Sequence, residues 1–213
     1  MEGYFAMLSR SMSAEKVEQM RTALDSMPFS FFWVIFIQGL IGGVTIGALV
    51  ALGEELGFRG FLQKQFSSMG FWTSSAVIGI IWGIWAAPIV LFGHHYPEHT
   101  AAGMGMMIIY CLLASPIHSY LRLKSQSVIA PSIFSGMVSS LSLIPIMMLA
   151  GGSDLTAGIT GLAGLLVLAV TDIGILGFEH FLSDTPFRFG ERKEIPEEKS
   201  AEGEEENREE GKD

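Results

Sequence analysis

Residues 29–60 read FSFFWVIFIQGLIGGVTIGALVALGEELGFRG, a predominantly apolar run without a charge from Phe29 to Leu52, closed by Gly53-Glu54-Glu55-Leu56-Gly57-Phe58-Arg59-Gly60. A predominantly apolar run of about 20 residues is long enough to cross a bilayer as a helix, so two adjacent carboxylates and a guanidinium fall at or just inside a membrane boundary. Each ionisable group there costs about 2.5–3.5 kcal/mol at mid-bilayer unless paired or hydrated. On a helix, neighbouring side chains point roughly 100° apart, whereas Glu55 and Arg59 are an i,i+4 pair on one face. The spacing predicts that Arg59 neutralises Glu55 and leaves Glu54 free to face the bundle interior, a placement that suits a base acting on water. The alternative reading of the same spacing is a charge cluster at a helix end that only marks the interface. A helix continuing towards Gln65 draws the carboxylates deeper into the protein.

Four more apolar segments, near 70–92, 101–121, 127–150 and 157–181, approach the same length, so the expected fold is an all-α integral membrane protein, a bundle of about five transmembrane helices. Gly39, Gly42, Gly43 and Gly47 in the first segment permit close helix approach, and Pro88 should kink or end the second. Residues 1–28 form a polar N-terminal leader. It contains a surface helix after Ser13, and it lacks the short apolar core and cleavage site of a signal peptide. Residues 29–182 form the transmembrane domain. Residues 183–213 hold 12 acidic and 6 basic groups, so most of the chain's net charge of −9 belongs to this tail, which has too few apolar residues to fold and is expected to be disordered. Nothing is basic enough for nucleic acid. Cys111 is the only cysteine, which excludes an internal disulfide.

Lysines and arginines follow the first, third and fifth segments, and the other two loops have none. The positive-inside rule then puts those three connections in the cytoplasm and the N-terminus outside. That orientation is odd for a polar leader without a signal unless further helices precede Met1. The five histidines, His94, His95, His99, His118 and His180, contain no His-Glu-x-x-His, so a zinc peptidase is not expected. Pro97 argues against a helix holding His95 and His99 together, and Gly93-His94-His95-Tyr96-Pro97 reads as an extramembrane turn. His118, after Pro116 in an apolar helix, reads as a hydrogen-bonded packing residue. Asp172 interrupts the last segment; pairing within the bundle is its default, and a transporter with Glu54 and Asp172 as midplane carboxylates finds no supporting repeat.

Glu54-Glu55-x-x-x-Arg59 resembles the first motif of the CAAX protease and bacteriocin-processing (CPBP, or Abi) family, which includes the type II CAAX prenyl endopeptidases. The likeness continues through Ile81-Trp-Gly-Ile-Trp-Ala-Ala-Pro88, Gly93-His-His-Tyr-Pro97, Tyr120-Leu-Arg-Leu-Lys-Ser-Gln-Ser-Val128 and Ile133-Phe-Ser-Gly136, over roughly residues 30–175. It implies an α-helical bundle in a prokaryotic cell membrane, with membrane lipids around it and a water-accessible intramembrane site. No metal or other cofactor is implied. The implied activity is endopeptidase cleavage near the C-terminus of a prenylated or membrane-associated peptide. The first motif glutamate, Glu54, activates a water with a histidine of the next helix, while a later histidine and asparagine stabilise the oxyanion.

Carried over residue by residue, the catalytic set is Glu54, Glu55 and Arg59. Three further family positions are altered: Trp-His-x-Pro has become Trp85-Ala86-Ala87-Pro88, and His-x-x-x-Asn has become Ser135-Gly-Met-Val-Ser139. Alanine has no proton to exchange, and serine reaches less far than imidazole or carboxamide. Counted along a continuing helix, His94 and His95 lie two or more turns, about 12 Å, beyond Ala86, too far to stand in for the lost imidazole. Hydrolysis is therefore expected to be impaired, and a non-catalytic relative that binds a peptide, lipid or protein partner in the same cavity is the alternative.

Overall fold

The computed structural model describes residues 2–9, 12–148 and 152–181. The acidic tail expected over 183–213 lies outside the described residues. Among those residues the fold is all-helical: α1 (Glu2–Leu8), α2 (Ala14–Asp25), α3 (Phe31–Gln65), α4 (Phe71–Leu91), α5 (Thr100–Ser125), α6 (Ile129–Leu141), α7 (Leu143–Met148) and α8 (Leu162–Phe181). Helices α3, α4, α5 and α8 are long and apolar enough to cross a membrane, and α6 is a shorter apolar helix.

Helix α3 does not stop at its glutamates. It runs on to Gln65, with two stretches wound as π-helix, Gly43–Gly47 and Leu56–Leu62. The second begins directly after Glu55, so the charged motif lies inside a continuous packed helix rather than at a fraying end. Widened turns of this kind recur at functional sites. The apolar run 127–150 is divided where Ser142 donates a side-chain hydrogen bond to the Ser139 carbonyl at 2.7 Å. Such local bonding competes with the helical ladder, and α6 ends at Leu141.

Packing follows the small residues. A Cβ on Gly136 of α6 would run into the Ala48 amide nitrogen and the Gly43 carbonyl oxygen of α3, while one on Gly43 would lie 2.7 Å from the Met137 Cα. Helices α3 and α6 therefore touch backbone to backbone, the close approach that glycine permits in membrane bundles. Helices α4 and α5 do the same: a Cβ on Gly79 would lie 2.8 Å from Leu112 Cα, and one on Gly83 2.8 Å from Ile108 Cα. Around this second crossing sits the core, with Ile78, Trp82, Met107, Tyr110, Cys111 and Ala114 buried together.

Two connections are fastened to each other. The Asp154 Oδ2 accepts hydrogen bonds from the Glu98 and His99 amides at 2.8 and 3.2 Å, just before α5 begins, and its Oδ1 lies 2.6 Å from the His99 Nδ1. Six residues after Asp154, the Thr160 carbonyl accepts a hydrogen bond from the buried Tyr96 hydroxyl at 2.6 Å. At the opposite end, Lys124 Nζ lies 2.8 Å from Glu179 Oε1, joining the ends of α5 and α8.

Replacement of Gly136 by leucine should separate α3 from α6. It is expected to cost at least the 1–3 kcal/mol of an overpacked core, read as a lower thermal midpoint in detergent, whereas Gly174→Ala, whose Cβ meets nothing within 4 Å, should leave the midpoint unchanged or raised. Partial burial opposes charge on Asp154, but its hydrogen bonds from the His99 ring and two amides outweigh this and hold the carboxyl below its ordinary value. A depressed carboxyl stabilises the fold above the ordinary aspartate value of about 3.9 and loses that contribution as pH falls through its lowered one. The difference in thermal midpoint between the parent chain and Asp154→Asn should be full at pH 6 and shrink below about pH 4.

Candidate active site

The charged motif of α3 divides its labour as the helical spacing predicts. Glu55 and Arg59 are each 1 % exposed, and the Arg59 Nε lies 3.4 Å from the Glu55 Oε2. The Arg59 guanidinium carbon stands 5.0 Å from the centre of the Trp82 ring, a cation–π placement on α4. His118 of α5 brings its Nε2 to 3.8 Å from the Glu55 Oε1 and bonds the Ala114 carbonyl through Nδ1 at 2.8 Å. Gln63 Nε2 donates to the Ser119 carbonyl at 3.4 Å. The pair therefore couples α3 to α4 and α5 in the interior.

Glu54, one residue earlier, points elsewhere. It is half-buried and lines a cavity of about 190 Å³, together with Ala86 of α4 and Ser135 and Ser139 of α6. Tyr110, Cys111 and His118 of α5 supply a further wall, and the volume admits several waters. The structure thus brings Glu54 and the three altered positions to one cavity, while Glu55 and Arg59 stand behind it as a buried pair. Asp172 is buried on α8 and is not part of this lining.

Two features of the cavity are invisible to a reading of helices. The connection after α4 folds back instead of continuing outward, so that His94 and His95 also line the cavity, as do Ile159 and Thr160 from the segment before α8. The expectation that both histidines lie about 12 Å beyond Ala86 counted along a helix that here ends at Leu91. Gly93 at φ +87° reverses the chain, the conformation glycine adopts without steric cost. The pairing Gly93-His94 ahead of Pro97 was the one sequence signal of a turn at this place. A second, larger and mainly apolar cavity of about 810 Å³ between α5, α6 and α8 shares Tyr110, Val138, Ser142 and Ile159 with the first.

A family model described as type II CAAX prenyl endopeptidase Rce1-like matches residues 27–141, more than half of the chain. The chain belongs to this family. The match takes in the Glu54 motif, Ala86, the His94-His95 turn, Ser135 and Ser139, and with it the long apolar helices make this Rce1-like protein an integral membrane protein in a lipid environment. Comparison with curated proteins and with solved structures returns no match.

Breaking the buried pair from one side leaves a charge alone in the interior, which typically costs 3–5 kcal/mol. Arg59→Met in the Rce1-like chain should accordingly lower the thermal midpoint strongly, and adding Glu55→Gln to it should recover a large part of the loss.

Proposed function

We propose that this member of the family is a weak intramembrane endopeptidase that cleaves near the C-terminus of a prenylated or otherwise membrane-associated peptide, with Glu54 as the base. The observation that carries the reading is the sharing of one 190 Å³ cavity by Glu54, Ala86, Ser135 and Ser139. A carboxylate that is half-buried, released from ion pairing by its neighbour Glu55, and set in a space that admits water is placed to take a proton from an attacking water. The adjoining 810 Å³ apolar cavity suits the lipid group of such a substrate. Glu55 and Arg59 then act by fixing the rotation of α3. Its proposed location is a prokaryotic cell membrane.

Ala86, Ser135 and Ser139 are the reason for expecting slow turnover. An oxyanion donor is commonly worth about 10²–10³ in rate, and three polar groups of the family pattern have been replaced by a methyl and two short hydroxyls. The same replacements support a second reading, a non-catalytic protein that holds a peptide or lipid in the inherited space.

A quenched, prenylated peptide given to purified protein in detergent separates the two. Slow cleavage that Glu54→Ala abolishes is the expected result. The combined Ala86→His, Ser135→His, Ser139→Asn variant should accelerate it by at least 10²-fold. Binding of the peptide without Glu54-dependent cleavage assigns the chain to the non-catalytic reading.

A further inference from the structure

The family pattern takes an imidazole from the helix position held here by Ala86, yet the cavity beside Glu54 is not without imidazole. Helix α4 ends at Leu91, and the following residues turn back on its last turn: the Gly93 amide donates to the Val90 carbonyl at 2.9 Å and the His94 amide to the Ile89 carbonyl at 3.3 Å. Ile89 is three residues past Ala86, about 4.5 Å along the helix axis, so the turn returns the chain to within about one helical turn of the vacated position. His94 and His95 both line the Glu54 cavity, with ring centres 4.2 Å apart in an edge-to-face contact.

His95 is the better enclosed of the two. Its backbone stands at φ +66°, a left-handed conformation that histidine adopts more readily than most side chains but that is still uncommon outside glycine. Conformations of this kind cost of order 1–3 kcal/mol and persist where the surroundings enforce them, often at working sites. Here the fastening is visible on the next residue, because Tyr96 is buried and bonded to Thr160.

We propose that His95 is the catalytic imidazole of this protein, supplied from the turn after α4 in place of the side chain missing at Ala86, and that its ring accepts a hydrogen bond from the water that Glu54 activates. The proposal rests on the hydrolytic reading given above. In that reaction a water oxygen bonds to the scissile carbonyl carbon while Glu54 takes one of the water's protons, the other stays on that oxygen and is hydrogen-bonded to the His95 ring nitrogen, and the carbonyl electron pair moves onto the carbonyl oxygen. When the tetrahedral intermediate collapses, the C–N bond breaks and the departing amine takes the proton from Glu54. Burial, and secondarily the neighbouring His94, hold the His95 ring down to about 4, so at neutral pH it is uncharged and one ring nitrogen accepts the water's hydrogen bond.

The test uses the full chain in detergent with the quenched prenylated peptide. Asparagine tolerates the left-handed backbone but is shorter than imidazole, so His95→Asn should lower kcat at least 10²-fold, with KM changed less than threefold. Adding Ala86→His to His95→Asn should restore at least tenfold of that loss, because it returns an imidazole to the older position. Unchanged kcat in His95→Asn, beside a chain that Glu54→Ala silences, overturns the role of His95 and leaves the hydrolytic reading standing. Failure of Ala86→His to restore activity also overturns it, and assigns His95 to holding the turn. Absence of Glu54-dependent cleavage in the parent chain removes the hydrolytic reading, and the proposal with it.

Discussion

The buried contact between Glu55 and Arg59 sets the orientation on which the rest depends. Two opposite charges removed from water are held in the interior by one another and by the Trp82 face, and they fix which side of α3 turns inward. Consecutive side chains on a helix diverge by roughly 100°, so once Glu55 is committed to α4 and α5, Glu54 is directed to the space bounded by α6. The carboxylate that faces the cavity and the one paired with Arg59 are adjacent in sequence and separate in environment. A one-residue slip of the motif would exchange them.

The backbone contacts of Gly136 with Gly43 and Gly47 complete that arrangement. They hold α6 against α3 closely enough for Ser135 and Ser139 to share a cavity with Glu54. Side chains of ordinary size at these glycines would push the serine-bearing face outward. Ser135 and Ser139 are therefore held beside Glu54 by backbone contact between the two helices.

Most of this framework was legible in the sequence, because the signals are local. Apolar run length announced the membrane helices, the i,i+4 spacing of Glu55 and Arg59 announced their pairing, and the family motif carried Ala86, Ser135 and Ser139 to one site. The division of 127–150 was harder to see, since it turns on Ser142 bonding to Ser139 within a run that is apolar on both sides. The inward fold of His94 and His95 was not legible at all. It depends on a left-handed histidine that no composition rule marks, and on Asp154 and Thr160 binding residues 55 and 64 positions earlier, whereas periodicity describes elements and not the loops between them.

The double fastening of the loops, Asp154 to the start of α5 and Tyr96 to Thr160, bears on how a substrate reaches Glu54. A connection tied down at two points does not lift at one edge, so His94, His95, Ile159 and Thr160 form a fixed part of the cavity lining. The wall carrying Trp85 and Ile89 is different: both residues line the cavity and are about half exposed on the outer surface of α4, at 53 % and 48 %. On the proposed reading, a membrane-associated peptide reaches that side within the plane of the membrane and needs to part only apolar side chains to enter.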